Sequence, residues 1–225
     1  MNSTQKPWLS AYPEGVPAEI DTTAYSSLVD LMQESFRKYG DRTAFSFLGK
    51  GLSYKELDRL SQVFAAYLQS LGLVFGDRVA IMLPNVLQYP IAVAAVLRAG
   101  FVVVNINPLY TARELEAQLK DSDAKAIVVL ENFGATLQEC LARTPVKHVV
   151  LCAMGDRLGW LKGMLVNHVV RKVKKMVPVF ELPKAVRFND ALSQGELCTL
   201  TSPEIHGDDL AVLQYTGGTT EIGRA

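Results

Sequence analysis

The stretch RVAIMLPNVLQYPIAVAAVLRAGFVVVNI, residues 78–106, decides the fold of this 225-residue chain. It opens with a short apolar run, Arg78 to Leu83, whose length suits a buried strand. The Ala-, Val- and Leu-rich segment from Pro90 to Ala99 is typical of a buried helix, and Gly100 can close it. A second apolar run, Phe101 to Ile106, follows directly. The stretch therefore predicts a strand, a helix and a strand in succession.

The same alternation continues along the chain. Apolar runs at Lys125 to Leu130 and His148 to Cys152 flank a predicted helix at Phe133 to Leu141. Strands this rich in Val, Ile and Leu are typical of a parallel sheet that is covered on both faces. We expect an α/β fold, with a doubly wound, largely parallel sheet and helices on both faces. Sheets of this kind bind ligands beyond the carboxyl ends of their strands.

Helix ends carry local signals of their own. Ser53 with Glu56, and Thr111 with Glu114, have the spacing of a capping box at the start of a helix. Gly40 follows the first predicted helix, and we expect it to end that helix in a left-handed conformation.

Turn-forming residues shape two further segments. Thr43 to Leu48 is predicted as a strand, and Gly49-Lys50-Gly51 can turn the chain back to give a small hairpin. The sequence does not decide at which residue the helix at 90–99 begins, because Asn85 could cap it only if Pro90 lay inside the helix.

Composition excludes several classes of protein. A hydrophobic fraction of 49% suits one large domain, or one domain with part of another. The 23 basic and 23 acidic residues leave no net charge to attract nucleic acid. Neither an apolar leader nor a membrane-spanning run is visible, so we expect a cytoplasmic protein. Cys140, Cys152 and Cys198 have spacings that fit neither a zinc site nor a disulfide framework.

The predicted organisation has three parts. Residues 1–24 are rich in Pro, Ser and Thr and should form an extended lead-in. Residues 25–209 should form the α/β subdomain, with a basic amphipathic insertion at about 155–190. Residues 210–225 would supply a strand and a loop that open a further subdomain.

The basic insertion interrupts the alternation. If residues 158–177 form a helix, most of its apolar residues lie on one half of the helical wheel. Two interpretations stay open: a surface helix that packs on the domain with solvated lysines, or a basic amphipathic helix on an anionic membrane. The apolar half contains Leu161, Leu165, Val166, Val169, Val170, Val173, Met176 and Val177, together with Lys162 and Lys172; the polar half contains Asn167, Arg171, Lys174 and Lys175.

A candidate phosphate-binding loop lies near the end of the chain. The strand-like run Leu210 to Tyr215 leads into Thr216-Gly217-Gly218-Thr219-Thr220. Glycines let backbone amides approach an anion, and threonine hydroxyls can donate to phosphate oxygens. The Lys-Ser/Thr pair of a Walker loop is lacking. Because Gly and Thr also form ordinary turns, a plain turn remains the alternative.

Three motifs in fixed order strengthen the phosphate-loop interpretation. Leu52-Ser53-Tyr54-Lys55-Glu56-Leu57 looks like the first motif of adenylate-forming enzymes. Leu97-Arg98-Ala99-Gly100, continuing to Asn107-Pro108, resembles the second, and Leu210 to Thr220 resembles the third. The resemblance spans residues 25–220 and is strongest to the N-terminal portion of bacterial long-chain fatty-acyl-CoA synthetases.

The resemblance implies a ligase that converts a long-chain fatty acid and ATP into acyl-AMP and then acyl-CoA. ATP, Mg²⁺ and coenzyme A would be its cofactors. Contact with an anionic membrane, from the inner face, and a homodimer are left open. Neither a catalytic residue nor a metal ligand can be named in this chain, because in the family those residues follow the loop. The ATP phosphates would lie on Tyr215, Thr216, Gly217, Gly218, Thr219 and Thr220.

The chain departs from the family pattern after the loop. The family continues Gly-x-x-Lys-Gly, whereas this chain has Glu221-Ile222-Gly223-Arg224-Ala225. Glu221 would place a carboxylate where glycine supports the loop near phosphate. We therefore expect a truncated N-terminal portion that is inactive alone. The rival interpretation is a non-catalytic α/β module that binds a nucleotide or a partner.

Overall fold

Helices and strands alternate through the computed structural model, which describes residues 6–215. The helices are α1 (Leu28–Tyr39), α2 (Tyr54–Ser70), α3 (Gln88–Arg98), α4 (Ala112–Asp121), α5 (Gly134–Leu141), α6 (Trp160–His168) and α7 (Phe188–Gly195). The strands are β1 (Thr43–Phe47), β2 (Lys50–Ser53), β3 (Arg78–Met82), β4 (Val102–Asn105), β5 (Ala126–Leu130), β6 (His148–Cys152), β7 (Val186–Arg187) and β8 (Val212–Gln214). Single 3₁₀ turns lie at Pro7–Ala11 and Glu131–Phe133, and a π-helical turn lies at Val169–Val173.

Six strands form one parallel sheet in the order β7-β6-β5-β3-β4-β8. The other two strands, β1 and β2, pair antiparallel as a separate hairpin. The predicted doubly wound, largely parallel sheet is confirmed.

Each central strand serves two cores. Along β3, Val79 and Ile81 pack with the helices of the first face, whereas Ala80 and Met82 pack with those of the second. Helices α1, α2, α3 and α7 cover the first face, and α4 and α5 cover the second. Because successive side chains of a strand point to opposite faces, this double burial explains the near-continuous apolar runs in the sequence.

The direction of the chain reverses around β3. The chain leaves β3 through α3 on the first face and reaches β4, then crosses back through α4 on the second face to β5. Right-handed crossovers require this change of face when the direction of travel reverses. The loops after β3 and β4 therefore diverge, and a crevice opens at the carboxyl edge of the sheet.

Both predicted capping boxes are present. Ser53 Oγ accepts from Glu56 N at 3.1 Å, and Glu56 Oε2 accepts from Ser53 N at 3.0 Å. Thr111 and Glu114 make the same reciprocal pair at the start of α4. The backbone hydrogen bond in each box lowers the pKa of its glutamate carboxyl, because it stabilises the ionised form.

The predicted hairpin is confirmed, with its turn one position earlier than expected. Leu48 and Gly49 form the turn with φ of +47° and +73°, and Phe47 pairs with Lys50. Positive φ at both central residues is the conformation that matches the twist of a two-residue hairpin. Gly51 lies within β2.

Helix α3 begins without a side-chain cap. It starts at Gln88 after Leu87, so Pro90 lies within the first turn and Asn85 does not cap it. Proline is tolerated there because the first amides of a helix have no partner inside the helix.

Two glycines that follow helices behave differently. Gly100 has φ of +77°, and Phe101 N donates to Val96 O at 2.9 Å while Gly100 N donates to Leu97 O. This pair of bonds is a Schellman end. Gly40 has φ of −38° and ψ of −51°, so the prediction of a left-handed end at Gly40 is wrong. The chain continues there in a right-handed turn, in which Arg42 N donates to Tyr39 O.

The lead-in is not wholly extended. Pro7–Ala11 forms a 3₁₀ turn, in which Ser10 Oγ donates to the carbonyl of Pro7 at 2.9 Å. Proline at the first position of a helical turn has no amide to leave unpaired, which explains why Pro7 starts this turn.

The segment 155–190 differs from its prediction in two respects. The predicted helix at 158–177 is α6 followed by the π-helical turn, which ends at Val173. The strand and helix alternation then resumes with β7, parallel to β6, and α7. A strand of two residues is too short to show an alternating pattern, so β7 could not be predicted from the sequence.

The two glycines provide a test. A Cβ at Gly100 would lie 2.6 Å from Phe75 Cδ2 and would take a left-handed conformation, so Gly100→Ala should cost about 2–4 kcal/mol of unfolding free energy. A Cβ at Gly40 would meet its neighbours at 3.4 Å or more, so Gly40→Ala should change that free energy by less than about 0.5 kcal/mol or raise it. Urea unfolding measures both. Equal losses in the two variants would contradict the assigned conformations.

Candidate functional site

The carboxyl edge of the sheet holds a crevice of about 520 Å³ at the ends of β3, β4 and β8. Among residues 6–215, only neutral side chains line it. Its polar groups are phenols and carboxamides, which can both donate and accept hydrogen bonds. The polar side chains are Asn85, Tyr89, Asn105, Asn107, Tyr110, Gln214 and Tyr215.

A chain of hydrogen bonds crosses this crevice, and we name Tyr89, Asn105 and Gln214 the amide ladder. Tyr89 Oη donates to Asn105 Oδ1 at 3.0 Å, and Asn105 Nδ2 donates to Gln214 Oε1 at 3.0 Å. Gln214 Nε2 then donates to the carbonyl of Tyr215 at 3.2 Å. The ladder links α3, β4 and β8 at their carboxyl edge.

Tyr215 is held a second time through its phenol. Its hydroxyl donates to Asp121 Oδ2 at the last residue of α4. Burial, and then the bond to Asp121, raise the pKa of the Tyr215 phenol to about 12. Tyr215 therefore stays protonated at neutral pH and acts as a donor, not as a base.

A buried glutamine lies beside Tyr215. Gln118 is only 4% exposed, and its Nε2 donates to the carbonyl of Asn105 at 2.8 Å. Its Oε1 is buried and has no partner within the described part of the chain. Gln118 and Asp121 line a second recess with Tyr215, next to the crevice.

Of the predicted loop residues, the structure describes Tyr215 alone. Thr216, Gly217, Gly218, Thr219 and Thr220 lie outside the described residues, so their phosphate-binding role and their exposure stay predictions. Tyr215 lies at the carboxyl end of β8, beside the crevice.

The sequence did not single out the ladder residues. Asn105 and Gln214 are polar residues at the carboxyl ends of apolar strands, the edge where ligands of such sheets bind. A polar residue at the carboxyl end of an apolar strand was therefore the one signal in the sequence that could have marked Asn105 and Gln214 as site residues. The partners Tyr89 and Asp121 carry no comparable signal, because their sequence separation from 105 and 215 is large.

The described residues do not supply a magnesium site. Within residues 6–215, no three His, Cys, Asp or Glu side chains converge in an arrangement that could hold a metal ion. Octahedral Mg²⁺ takes carboxylate, phosphate and water oxygens, whereas the crevice offers neutral amides and phenols.

The other half of the carboxyl edge carries a buried ion cluster. Glu131, 2% exposed, follows β5 and accepts from Arg171 Nε and Nη2 at 2.8 Å each and from Arg187 Nη1 at 2.9 Å. A carboxylate with three charge-assisted bonds is satisfied internally. This cluster ties the π-helical turn and β7 to the rest of the sheet, and both oxygens of the Glu131 carboxylate accept hydrogen bonds within it.

The largest cleft, about 1070 Å³, lies among α1, α2 and α3 and away from the carboxyl edge. Arg98, which lines it, is paired with Asp58 and lies over the ring of Phe36. Its charged groups are of both signs and in near balance. Size alone therefore does not make this cleft the functional site.

Two buried thiols are unsuited to catalysis. Burial raises the pKa of Cys140 to about 11, and burial raises that of Cys152 well above its ordinary value. A thiol is nucleophilic only as the thiolate. Both therefore act as small core residues.

Helix α6, the π-helical turn and the three residues that follow it expose apolar and basic side chains, which we together name the α6 surface. Its members are Trp160, Leu161, Met164, Leu165, Val173, Met176, Lys162, Lys172, Lys174 and Lys175. Leu161 and Leu165 belong to the apolar half of the wheel, which a helix packed on the domain would turn inward, yet they are 66% and 61% exposed. Within residues 6–215 no helix is long and apolar enough to span a bilayer.

Glycines decide which side of α6 faces the domain. A Cβ at Gly163 would lie 2.4 Å from the carbonyl oxygen of Gly155, and Gly155 N donates to Asn167 Oδ1 at 2.7 Å. The side with Gly163 and Asn167 therefore packs inward. A wheel that places only hydrophobic residues inside could not show this.

These features define a class of protein: a doubly wound α/β domain with a neutral ligand crevice at the carboxyl edge. The AMP-binding enzyme family matches residues 32–220. The chain belongs to that family.

Relatives give the likeness more detail. The chain is 50% identical to a long-chain-fatty-acid--CoA ligase of Escherichia coli O157:H7 over 221 residues, which are 98% of this chain and 39% of the relative. It is 36% identical to a ligase of the same description from Bacillus subtilis, over 96% of this chain and 39% of that protein. The chain therefore spans about two fifths of the length of these relatives.

Solved structures agree with the fold. The anthranilate CoA ligase in complex with anthranoyl-AMP superimposes with a TM-score of 0.70 at 17% identity, covering 89% of this chain and 35% of that one. A long-chain-fatty-acid-CoA ligase from Archaeoglobus fulgidus gives 0.66 at 22% identity, covering 93% and 37%. At these identities the likeness concerns the fold.

The anchor of Tyr215 can be tested by titration. Asp121→Asn removes the negative charge beside the phenol, so the pKa of Tyr215 should fall from about 12 toward its ordinary value, while burial keeps it higher. NMR of ring-labelled tyrosine measures the pKa, and Tyr215→Phe assigns the signal. An unchanged value would mean that Asp121 does not contact the phenol.

Proposed function

We propose that this chain is the N-terminal portion of an AMP-forming ligase that activates long-chain fatty acids as acyl-CoA. One observation carries the proposal: the motif Thr216 to Thr220 directly follows β8, which ends at the crevice of a domain of the AMP-binding enzyme family. In doubly wound sheets, ligands bind beyond the carboxyl ends of the strands, where helix N-termini point backbone N–H groups toward an anion.

The proposed reaction has two steps. A carboxylate oxygen of the fatty acid attacks the α-phosphorus of ATP, the bond to the β-phosphate breaks, and pyrophosphate leaves. The thiol of coenzyme A then attacks the acyl carbonyl, loses its proton, and displaces AMP. Such phosphoryl-type chemistry depends on positioning and charge stabilisation more than on a nucleophilic side chain.

The loop would act through neutral donors. Backbone amides at Gly217 and Gly218 and the hydroxyls of the threonines would donate to the β- and γ-phosphates. Mg²⁺ would accompany ATP, as the resemblance implies, and in the family its protein ligand follows the loop. The described residues would hold the strand from which the loop starts.

The substrate is inferred from the degree of likeness. The chain is also 34% identical to an oxalate--CoA ligase of Arabidopsis thaliana, but over only 55% of its length. The higher identity over 98% of the chain is with relatives described as long-chain-fatty-acid ligases. This difference supports a long aliphatic acid over a small dicarboxylic acid.

The exposed apolar and basic side chains of the α6 surface support peripheral contact of the protein with an anionic membrane. Trp160 and Leu161 are 83% and 66% exposed, next to Lys162. Aromatic and aliphatic side chains enter the interfacial region of a bilayer, while lysines attract anionic headgroups. Such contact would bring the enzyme to a source of fatty acids.

The 225-residue chain should not activate fatty acids by itself. Within residues 6–215 no cluster of His, Cys, Asp or Glu could hold a metal ion, and a hydrogen bond from an exposed donor to phosphate replaces one to water, with little net gain. Pyrophosphate exchange into ATP, with a long-chain fatty acid and magnesium, should give no turnover. Calorimetry should show weak or undetectable ATP binding, which Glu221 weakens further.

A chimera tests the positive side of the proposal. It joins residues 1–220 to the part of the Escherichia coli O157:H7 relative that follows its matching region. We expect exchange activity with long-chain acids and little with oxalate. A folded but silent chimera would favour the rival interpretation, a non-catalytic α/β module. Turnover by the chain alone would overturn the expectation that it is inactive.

Membrane contact has its own test. Lys174→Glu with Lys175→Glu should weaken cosedimentation with anionic vesicles by about thirtyfold at low salt, since each basic residue contributes about 1 kcal/mol. Lys38→Glu with Lys147→Glu is the matched control, because both lysines are exposed and lie outside the α6 surface. An equal loss in both double variants would indicate attraction by overall charge only.

A further inference from the structure

Strand β8 is weakly held by its backbone. It has three residues, and within residues 6–215 it pairs with β4 alone. Only Leu213 packs into a core, whereas Val212 and Gln214 are exposed. A slip of one residue would exchange the faces of all three side chains. Something beyond the backbone pairing must therefore fix the register of β8.

The amide ladder has a defined direction. The carbonyl of Tyr215 can only accept, so Gln214 must turn Nε2 toward it and Oε1 toward Asn105. Asn105 then has to present Nδ2 to Gln214, and its Oδ1 meets the hydroxyl of Tyr89, which donates. Reversal of either amide would bring two oxygens together. The hydrogen bonds of the ladder can therefore all form in only one register of β8 against β4.

A second anchor acts on the same residue from the other face. The carbonyl of Tyr215 accepts a hydrogen bond from Gln214, the last member of the ladder, and its phenol donates a hydrogen bond to Asp121 of α4. The backbone and the side chain of Tyr215 are thus fixed by separate elements. The next residue is Thr216, the first of the predicted loop.

We infer that Tyr89, Asn105, Gln214 and Asp121 are positioning residues that set where the phosphate-binding loop leaves the sheet. The inference rests on the proposed function, since it assigns these residues to the handling of ATP. Their proposed action runs through Tyr215, which the ladder holds at its carbonyl and Asp121 holds at its phenol. A displacement of about 1 Å at a reacting group can cost a factor on the order of 100 in rate. Loss of the ladder should therefore raise the KM for ATP and leave the KM for the fatty acid nearly unchanged.

Asn105→Asp tests the ladder with little change in shape. The carboxylate cannot donate to Gln214 Oε1, and if Gln214 turns over, its Oε1 faces the carbonyl of Tyr215. Asn107→Asp is the matched control. It adds the same charge to the same crevice, yet Asn107 Oδ1 accepts from Leu109 N, a bond that aspartate keeps.

Two measurements separate a positioning role from a structural one. Hydrogen exchange of the 225-residue chain should show β8 amides exchanging at least tenfold faster in Asn105→Asp, with β3 and β5 unchanged. In the chimera, the same substitution should raise the KM for ATP at least tenfold and change the KM for the fatty acid less than twofold. In Asn107→Asp, the exchange rate of the β8 amides and the KM for ATP should each change by less than about twofold.

Each other outcome has a definite meaning. Unchanged exchange in β8 would overturn the inference, because the ladder would not hold the strand. Faster exchange with an unchanged KM for ATP would overturn it too and leave the ladder a structural role. Equal effects of the two substitutions would show that added charge, not register, matters. A folded wild-type chimera without activity would refute the proposed function, and the inference with it.

Discussion

Burial of the parallel sheet on both faces is the constraint on which the rest of this structure depends. Each central strand must supply apolar side chains to two cores, so polar groups are confined to its ends. Asn105 lies at such an end and Glu131 directly follows another, while Gln214 ends the outer strand β8. The carboxyl edge is thus the part of the sheet where hydrogen-bonding chemistry can collect.

That edge is divided in its chemistry. One half, at β5, β6 and β7, holds a buried carboxylate that two arginines neutralise. The other half, at β3, β4 and β8, is lined by neutral amides and phenols within the described residues. A neutral crevice can hold backbone and side chains in a fixed geometry through hydrogen bonds between uncharged groups. The arrangement suits a support for an anion-binding loop.

Local and long-range signals account for what the sequence could predict. The capping boxes at Ser53 and Thr111 depend on residues three positions apart, and both were predicted. The orientation of α6 depends on a contact between Gly155 and Gly163, and the amide ladder joins residues 89 and 214 through Asn105. No spacing rule reports such contacts. The fold could therefore be predicted, whereas the ladder and the α6 surface required the structure.

The outer strands of the sheet are its shortest. Strand β7 has two residues and β8 has three, whereas an exposed edge needs several free amides and carbonyls in a row to recruit a foreign strand. Arg187, a charged residue, ends β7 and is bound to Glu131. Within residues 6–215 the outer strands of the six-stranded sheet thus offer little template for edge-to-edge growth. The inner strands have the apolar composition of aggregation-prone segments, and the sheet keeps them in its interior, away from its edges.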